Sequence, residues 1–452
     1  MFKRNAMGNT RTKFIAGAVL LALGLASGSA MATNVYGGGA TLPAGAYVGF
    51  GFLTSTNTKL SNNTTGGQNN ILSTSLFGAG KGTGNATSYC QTGSGGGKKI
   101  FDHADSNPVT TVYSGTNPCT GAASATEGFG ASSSAAIDPH FVGSDAPFSQ
   151  SEFDWYRAGN KSAAGHQPVQ FPAVIGSIAI AYNKPGVTLD LTEAQVCGIF
   201  NHTITQWSQL DPTATGAINV VYRSDGSGTS FSLANHLAAV CGGSATAHFI
   251  ADQSFATVVS QFGTPASFGW VGASGNPGVV NAVNTTAGTI TYAEAANLKA
   301  APSANVKVAK VNHFDPYEDL PNDLSLAVSS ERVITGANAT TGRPVTAPVT
   351  ASGYTPVTQC LNIVEPALYA TNTTRYSLLA VSYLIANNAG NGADVAAVRS
   401  LIGSPYNTAL RSSVTTIGNG AGTADGTGYA YINPTVTSGA PSLADRVNSC
   451  IN

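Results

Sequence analysis

The sequence predicts an α/β fold with two or three domains. Beyond about residue 135, short apolar runs alternate with amphipathic segments, the pattern of strands and helices packed in layers. Two hydroxyl residues followed three positions later by Glu or Gln mark helix starts in this part of the chain. Removing a leader that ends at residue 32 from a chain of 452 leaves about 420 residues, enough for separate hydrophobic cores.

Residues 1–32 are interpreted as a signal peptide. Lys and Arg residues precede the uncharged run at 14–31, which is rich in Leu, Ala and Gly, and cleavage is expected after Ala32. No later stretch approaches the roughly 20 continuous apolar residues that a spanning helix needs. We therefore expect a soluble, periplasmic or secreted protein with no membrane span.

Charge and composition exclude some classes of function. Charged residues make up 10% of the chain and its formal net charge is −1, with Lys and Arg scattered singly. A nucleic-acid-binding protein usually has a basic face, so nucleic acid is not an expected partner. We expect a monomer without a cofactor or a metal.

Six cysteines in an exported chain predict disulfides. Counting alone allows 15 pairings. Their sequence order favours bonds between neighbours, Cys90–Cys119, Cys197–Cys241 and Cys360–Cys450. Metal binding is the weaker interpretation because no C-x-x-C pair occurs.

The elements follow in order along the chain. Residues 52–135 contain few apolar runs and predict long surface loops. Buried strands are predicted at Ala173–Tyr182 and Ile218–Tyr222. Helices are predicted after the capping boxes Ser149/Glu152 and Thr192/Gln195, and at Gly228–Val240, Tyr376–Ile385 and Val395–Ile402.

The strongest polar cluster is Arg223–Ser230, between a predicted strand and a predicted helix. The first N–H groups of a helix are unpaired and carry the positive end of its dipole, so they attract anions. Ser227 and Thr229 add hydroxyls, Arg223 adds a two-pronged cation, and Asp225 can hold the guanidinium in place. The alternative is an ordinary glycine-rich turn capped by Ser or Thr.

Three further clusters have plain local explanations. Gly37–Pro43 suits a helix start, with Thr41 as the cap and Pro43 at the first position, or a flexible lead-in. Gly93–Ile100, with Ser94 as a donor, suits a surface loop. Val142–Pro147 suits a turn in which Asp145 is an ordinary turn residue.

In this order the clusters resemble the periplasmic phosphate-binding proteins that serve ABC-type phosphate importers, and more closely the DING proteins. The matching motifs are GGGATLP at 37–43, GSGGGK at 93–98, GSDAPFS at 143–149, FPAVIGSIAIAYNKPG at 171–186, QVCGIFNHTITQW at 195–207, YRSDGSGTSF at 222–231 and GNPGVVNAV at 275–283. The chain departs from the family in the long segments on both sides of Ser94 and in its predicted mature start, Thr33–Gly37, which lacks the tetrapeptide that names the DING group.

The resemblance implies a type II-like periplasmic-binding-protein fold, in which each of two lobes is a mixed sheet flanked by helices and two hinge strands cross between them. Lobe I would comprise residues 33–175 and 300–452, and lobe II residues 176–299. The crossings would lie near 172–182 and 291–310.

The resemblance also implies a function, the high-affinity binding of inorganic phosphate between the lobes, for uptake through the membrane permease of an ABC importer or for scavenging. The phosphate-binding residues carried over are Thr41, Leu42, Ser94, Asp145, Arg223, Ser227, Gly228 and Thr229, with Asp225 supporting Arg223. Asp145 would accept the proton of hydrogen phosphate and disfavour sulfate, which has no proton to share at neutral pH.

Two other functions remain open. A secreted alkaline phosphatase could use the same cradle to stabilise a phosphoryl transition state, although the sequence has no G-x-S-x-G or H-E-x-x-H motif. Its nearest candidate metal group is Asp102, His103 and Asp105, for which a polar loop is the favoured interpretation. A surface interaction protein on the same fold is the third hypothesis. No catalytic residue is assigned.

Overall fold

The computed structural model describes residues 34–49, 59–63, 68–69, 71–102, 139–158, 166–243, 247–300, 303–353, 355–418 and 426–452. The predicted signal peptide and Cys119 lie outside these residues. No helix within the described ranges has both the length and the apolar character required to cross a bilayer.

The strands of the described chain are β1 (Asn34–Gly39), β2 (Lys59–Asn63), β3 (Gln68–Asn69), β4 (Ala86–Gln91), β5 (Phe141–Ser144), β6 (Pro168–Asn183), β7 (Asp190–Leu191), β8 (Asn219–Arg223), β9 (Val271–Ala273), β10 (Thr289–Glu294), β11 (Lys307–Val308), β12 (Lys310–Val311), β13 (Asp323–Ser330), β14 (Arg332–Ala337), β15 (Pro344–Pro348), β16 (Asn362–Val364), β17 (Leu379–Asn387) and β18 (Tyr429–Thr435).

The α-helices are α1 (Ala44–Val48), α2 (Leu76–Gly80), α3 (Ser94–Asp102), α4 (Gln150–Ala158), α5 (Glu193–Phe200), α6 (Gly228–Val240), α7 (Phe255–Val258), α8 (Gly275–Thr285), α9 (Ala295–Ala300), α10 (Val395–Gly403), α11 (Thr408–Arg411) and α12 (Leu443–Cys450). The capping boxes at Ser149 and Thr192 are both formed, because each hydroxyl accepts from the third residue on and that residue's side chain accepts in return.

Strand β6 runs through two groups of paired strands. Its residues 168–177 pair with β17, and three of them also pair with β18. The strands of this first group are hydrogen-bonded in the order β16-β13-β18-β6-β17-β5-β1-β4-β2-β3. Its residues 178–183 pair with β10, which continues to β8 and β9, and residues 181–182 also pair with β11. We call the parts built on these two strand groups lobe I and lobe II. All 16 residues of β6 are buried, which its apolar sequence explains.

The strands predicted at 173–182 and 218–222 are confirmed by β6 and β8, and the helix predicted at 228–240 is confirmed by α6. The helix predicted at 376–385 is wrong, because most of that segment forms β17 between β5 and β6. Every residue of β17 is buried. A strand covered on both faces has no alternation to distinguish it from a buried helix.

Two local predictions in the N-terminal part are also wrong. Residues 52–135 are not only loops, since their described residues include β4 and α3. Thr41 does not cap α1, which begins after Pro43 without a side-chain cap. The glycines before it belong to β1, whose Gly37–Gly39 segment pairs in parallel with both β4 and β5.

Two disulfides are described and agree with the order-based pairing. Cys197–Cys241 joins α5 to the end of α6, and Cys360–Cys450 ties the last helix to the segment before β16. Cys119, the predicted partner of Cys90, lies outside the described residues.

Candidate functional site

The N-terminus of α6 begins the candidate site. Ser227 caps the helix, and its Oγ accepts a hydrogen bond from Ser230 N at 3.1 Å. The next two residues, Gly228 and Thr229, occupy the first turn, where backbone N–H groups have no acceptor within the helix. Because α6 is 13 residues long and this end is buried, the unpaired N–H groups and the helix dipole favour an anion.

Arg223 lies at the end of β8 and is held in a fixed orientation. Its Nε and Nη2 donate to the two carboxylate oxygens of Asp225 at 2.7 and 2.5 Å, and Gly275 N donates to the same carboxylate at 2.9 Å. Burial raises the pKa of Asp225, but the guanidinium and the N–H donors outweigh it, so that this pKa lies below its ordinary value. The supporting role predicted for Asp225 thus has a direct geometric basis.

Asp145 follows β5, and its backbone N donates to Ser94 Oγ at 3.1 Å. The side chain is buried, and burial raises its pKa to about 7 against the lowering effects of the Ser382 hydroxyl, Arg223, the Ser94 hydroxyl and Lys98. Its Oδ1 has no hydrogen-bond partner among the described residues. Such an oxygen is an acceptor available to a ligand that carries a proton.

Thr41 and Leu42 occupy the turn between β1 and α1. Thr41 Oγ1 accepts from Asn276 N at 3.3 Å, and the Leu42 carbonyl accepts from the Tyr429 hydroxyl at 2.5 Å. The backbone N–H groups of Thr41 and Leu42 donate to no described group. Two backbone donors therefore remain available on the lobe I side.

The two sets of residues meet at Gly228. A Cβ atom on Gly228 would lie 2.5 Å from Ser94 Oγ and 2.6 Å from Asp145 Cβ, so only glycine allows this approach. Beside it, Gly95 N donates to the Gly226 carbonyl at 2.9 Å. The structure therefore brings every predicted site residue into one cluster between the lobes. All members are buried except Asp225, which is partly exposed: Thr41, Leu42, Ser94, Asp145, Arg223, Asp225, Ser227, Gly228 and Thr229.

The hydroxyl groups of this cluster are already used as acceptors. Ser94 and Ser227 accept from backbone N–H groups, Thr41 accepts from Asn276 N, and Thr229 Oγ1 lies 3.5 Å from Arg223 Nη1. A hydroxyl has one proton to donate. When its oxygen accepts from an N–H group, the O–H bond points away from that group and is available to another acceptor. The hydroxyls of Thr41, Ser227 and Thr229 are therefore suited to donating O–H groups to an anion, whereas the Ser94 hydroxyl interacts with the Asp145 carboxylate.

Three nearby residues were missed from the sequence. Lys98 is fully buried, and its Nζ lies 2.8 Å from the Glu152 carboxylate. The charge of Lys98 also lowers the pKa of Asp145. Asn276 accepts a hydrogen bond from Arg223, and the Ser382 hydroxyl interacts with the Asp145 carboxylate. Lys98 and Asn276 lie inside the quoted motifs GSGGGK and GNPGVVNAV, whereas Ser382 lies in the segment wrongly predicted as a helix.

The candidate metal group receives no support from the described chain. Asp102 ends α3 and is buried, while His103 and Asp105 lie outside the described residues. Within those residues, no group of three or more His, Cys, Asp or Glu side chains is arranged to hold a metal ion.

Comparison with known proteins gives matches over most of the chain. A model of the PBP superfamily domain matches residues 54–400. Alkaline phosphatase L of Pseudomonas aeruginosa is 29% identical over 315 residues, covering 69% of this chain and 68% of that protein. Phosphate-binding protein PstS 2 of Mycobacterium tuberculosis is 36% identical over 163 residues, 34% of this chain and 40% of that protein.

Solved structures match over longer stretches. The phosphate-binding protein from Stenotrophomonas maltophilia covers 82% of each chain at 25% identity, with a TM-score of 0.51. The high-affinity periplasmic phosphate-binding protein PfluDING, solved with phosphate, matches 88% of this chain and 91% of its own at 23% identity, with a TM-score of 0.53. These matches confirm the predicted two-lobed α/β fold and the resemblance to phosphate-binding and DING proteins.

Proposed function

We propose that this chain, which belongs to the PBP superfamily, binds inorganic phosphate as hydrogen phosphate between its lobes. The observation that carries the proposal is the burial of N–H donors, O–H donors and one unpaired carboxylate oxygen in a single cluster. Hydrogen phosphate matches this set because it offers several acceptor oxygens and one proton. The names of the phosphate-binding relatives and of the S. maltophilia structure support the same ligand.

The ligand is met mainly by uncharged groups. Arg223 is neutralised by Asp225 and Lys98 by Glu152, so neither cation is free to attract anions in general. Helix N–H groups and hydroxyls then supply the favourable interactions, and their fixed directions select a small tetrahedral oxyanion. The function proposed from these contacts is capture of phosphate rather than transformation of it.

Isothermal titration calorimetry tests the proposal directly. Protein unfolded, washed free of bound anion and refolded should bind phosphate with one-to-one stoichiometry. Thr229→Val removes one hydroxyl with little change in shape and should weaken phosphate binding about tenfold. Thr285→Val, at the exposed last residue of α8, removes a hydroxyl that bonds only helix carbonyls; it is the matched control and should leave affinity unchanged. Absence of phosphate binding by the refolded wild type would refute the function.

Uptake is the role that follows for such a protein. Delivery to the membrane permease of an ABC-type importer, from the periplasm or after secretion, fits the PstS relatives. Deleting the gene in its host should slow phosphate uptake at low external phosphate, and fractionation should place the protein outside the inner membrane. Normal uptake in the deletion strain would favour scavenging or another exported role.

Phosphatase activity is the second candidate, because the P. aeruginosa relative is named as an alkaline phosphatase. Turnover of a phosphate monoester, measured with and without a chelator, separates the two functions. A protein that only binds should hold phosphate and release none from the ester. Turnover that disappears with the chelator would require a metal site formed at least partly by residues outside the described chain.

A further inference from the structure

Asn276 is the second residue of α8, and it is completely buried next to the phosphate cluster. Its backbone N donates to Thr41 Oγ1 at 3.3 Å, a contact that joins lobe II to lobe I. Its side-chain Oδ1 accepts from Arg223 Nη1 at 3.0 Å. One residue thus contacts two of the predicted phosphate ligands.

The orientation of the Asn276 amide follows from its partner. A guanidinium can only donate hydrogen bonds, so the oxygen of the amide must face Arg223 and the nitrogen must face away from it. Nδ2 has no hydrogen-bond partner among the described residues, although the atom is buried. A buried donor without an acceptor is unfavourable, and its presence here indicates an acceptor that binds at this position.

We propose that Asn276 Nδ2 donates a hydrogen bond to the bound anion, so that Asn276 is a phosphate ligand in addition to the predicted ones. This inference rests on the proposed phosphate-binding function. An amide supplies a donor without adding charge, and the same side chain keeps the guanidinium directed towards the cleft. Its backbone N–H also donates to Thr41 Oγ1, so the same residue links the two lobes beside the anion.

The competing explanation is purely structural, in which Asn276 only holds Arg223 in place. Asn276→Asp keeps an acceptor for Arg223 but cannot donate to an anion, and the NMR signal of the Asn276 amide in the wild type separates a lost donor from the repulsion that the added charge would cause in either case. If Asn276 is a ligand, Asn276→Asp should weaken phosphate binding at least 100-fold, through the lost donor and the added repulsion. Asn276→Ala, which loses the donor without gaining charge, should bind more tightly than Asn276→Asp.

Calorimetric titration with phosphate measures these affinities, and circular dichroism verifies that each variant is folded. Asn281→Asp adds the same charge at an exposed position of the same helix and should bind phosphate like the wild type. Wild-type affinity in Asn276→Asp, or the reverse order of the two variants, would overturn the proposal while leaving phosphate binding itself intact. No binding by the wild type would instead refute the function.

A second measurement does not depend on the variants. In a ¹⁵N-labelled protein, phosphate should shift the side-chain amide signal of Asn276 strongly, with its protons moving downfield. That signal is assigned by its absence in Asn276→Asp or, if neither variant folds, by through-bond correlation to the backbone. An unchanged Asn276 side-chain signal in phosphate-saturated protein would show that Nδ2 does not contact the ligand.

Discussion

Replacing Asp145 by Asn should exchange a strong preference for phosphate over sulfate for a weak one. In the wild type the carboxyl is buried, its Oδ1 has no described partner, and its pKa is about 7. Hydrogen phosphate can donate its proton to this group. Sulfate has none, so above neutral pH it would face an ionised carboxylate at contact distance.

The size of the effect follows from Coulomb's law. Two like charges about 4 Å apart at an effective dielectric constant of about 20 repel by about 4 kcal/mol, which corresponds to roughly 10³ in affinity for sulfate. The Asp145→Asn substitution removes this repulsion. It also removes a charged acceptor from phosphate, which costs about 1.5–3 kcal/mol, or roughly 10–100-fold. At pH 8.5 the full repulsion is avoided when Asp145, whose pKa is about 7, takes up a proton, so the penalty for sulfate is limited to about 30-fold. Together with the loss of phosphate affinity, the phosphate-to-sulfate affinity ratio should therefore fall by about 300–3000-fold.

Competitive calorimetry of phosphate and sulfate at pH 8.5 measures the ratio. Glu331→Gln is the control, because burial also raises the pKa of Glu331. This carboxyl lies between β13 and β14, where it accepts a hydrogen bond from Cys360 N. The control variant should keep wild-type selectivity. An unchanged ratio in Asp145→Asn would remove Asp145 from the specificity mechanism.

The pH dependence of the wild type provides an internal test of the same reasoning. As pH falls from about 9 to about 7, the protonated fraction of a group with a pKa of about 7 rises roughly 50-fold, and a protonated Asp145 can donate to sulfate. Sulfate affinity should rise by a similar factor and then level off below pH 6. In Asp145→Asn it should be flat, and a slope that survives the substitution would assign the titration to another group.

Other measurements test the surroundings of the cleft. The pKa of Asp145 is raised in the folded protein, so its stabilising contribution is present below about pH 4 and is lost as pH rises through about 7. In the ligand-free protein, Asp145→Asn should therefore raise the free energy of unfolding by about 4 kcal/mol at pH 9 and by little at pH 4. Urea denaturation at the two pH values measures this difference. Lys98→Met should destabilise the protein by about 3–5 kcal/mol because Glu152 is left unpaired, and adding Glu152→Gln should recover most of the loss in the same assay. Gly228→Ala should weaken phosphate binding at least 100-fold in calorimetry, since its Cβ would overlap the opposite lobe, and near-wild-type affinity would contradict the described approach.

The sequence was sufficient where local chemistry determines local structure. The capping boxes at Ser149 and Thr192 were predicted because a hydroxyl and its partner three residues on lie within one turn. Helix α6 was predicted because its apolar residues recur with the helical period along its own sequence. The failure at β17 has the opposite cause. Its conformation as a strand depends on hydrogen-bonded pairing with β5 and β6, which are distant in the chain, and no pattern within its nine residues indicates them.

The site shows the same division. The resemblance to a known family identified the site residues. Their proximity in space depends on the tertiary structure, because the two strand groups determine where β1, β5, β8 and α8 lie. Ser94 looked like part of a glycine-rich loop, yet it begins a helix whose close packing those glycines permit. Asn276 lies in the quoted motif GNPGVVNAV, but nothing in that motif singles it out, because its contacts are with Thr41 and Arg223, which are 235 and 53 residues away.

The absence of a basic surplus in the sequence is consistent with anion binding once the charges of the cluster are paired. Arg223 with Asp225, and Lys98 with Glu152, cancel within a few ångströms, so they contribute little field at long range. A nucleic-acid site needs unpaired cations spread over a surface, but a single buried oxyanion needs donors at fixed points. Because no counterion layer is displaced from such a cleft, phosphate affinity should depend only weakly on salt concentration. The same pairing leaves Asp145 as the charged group whose protonation decides which oxyanion fits.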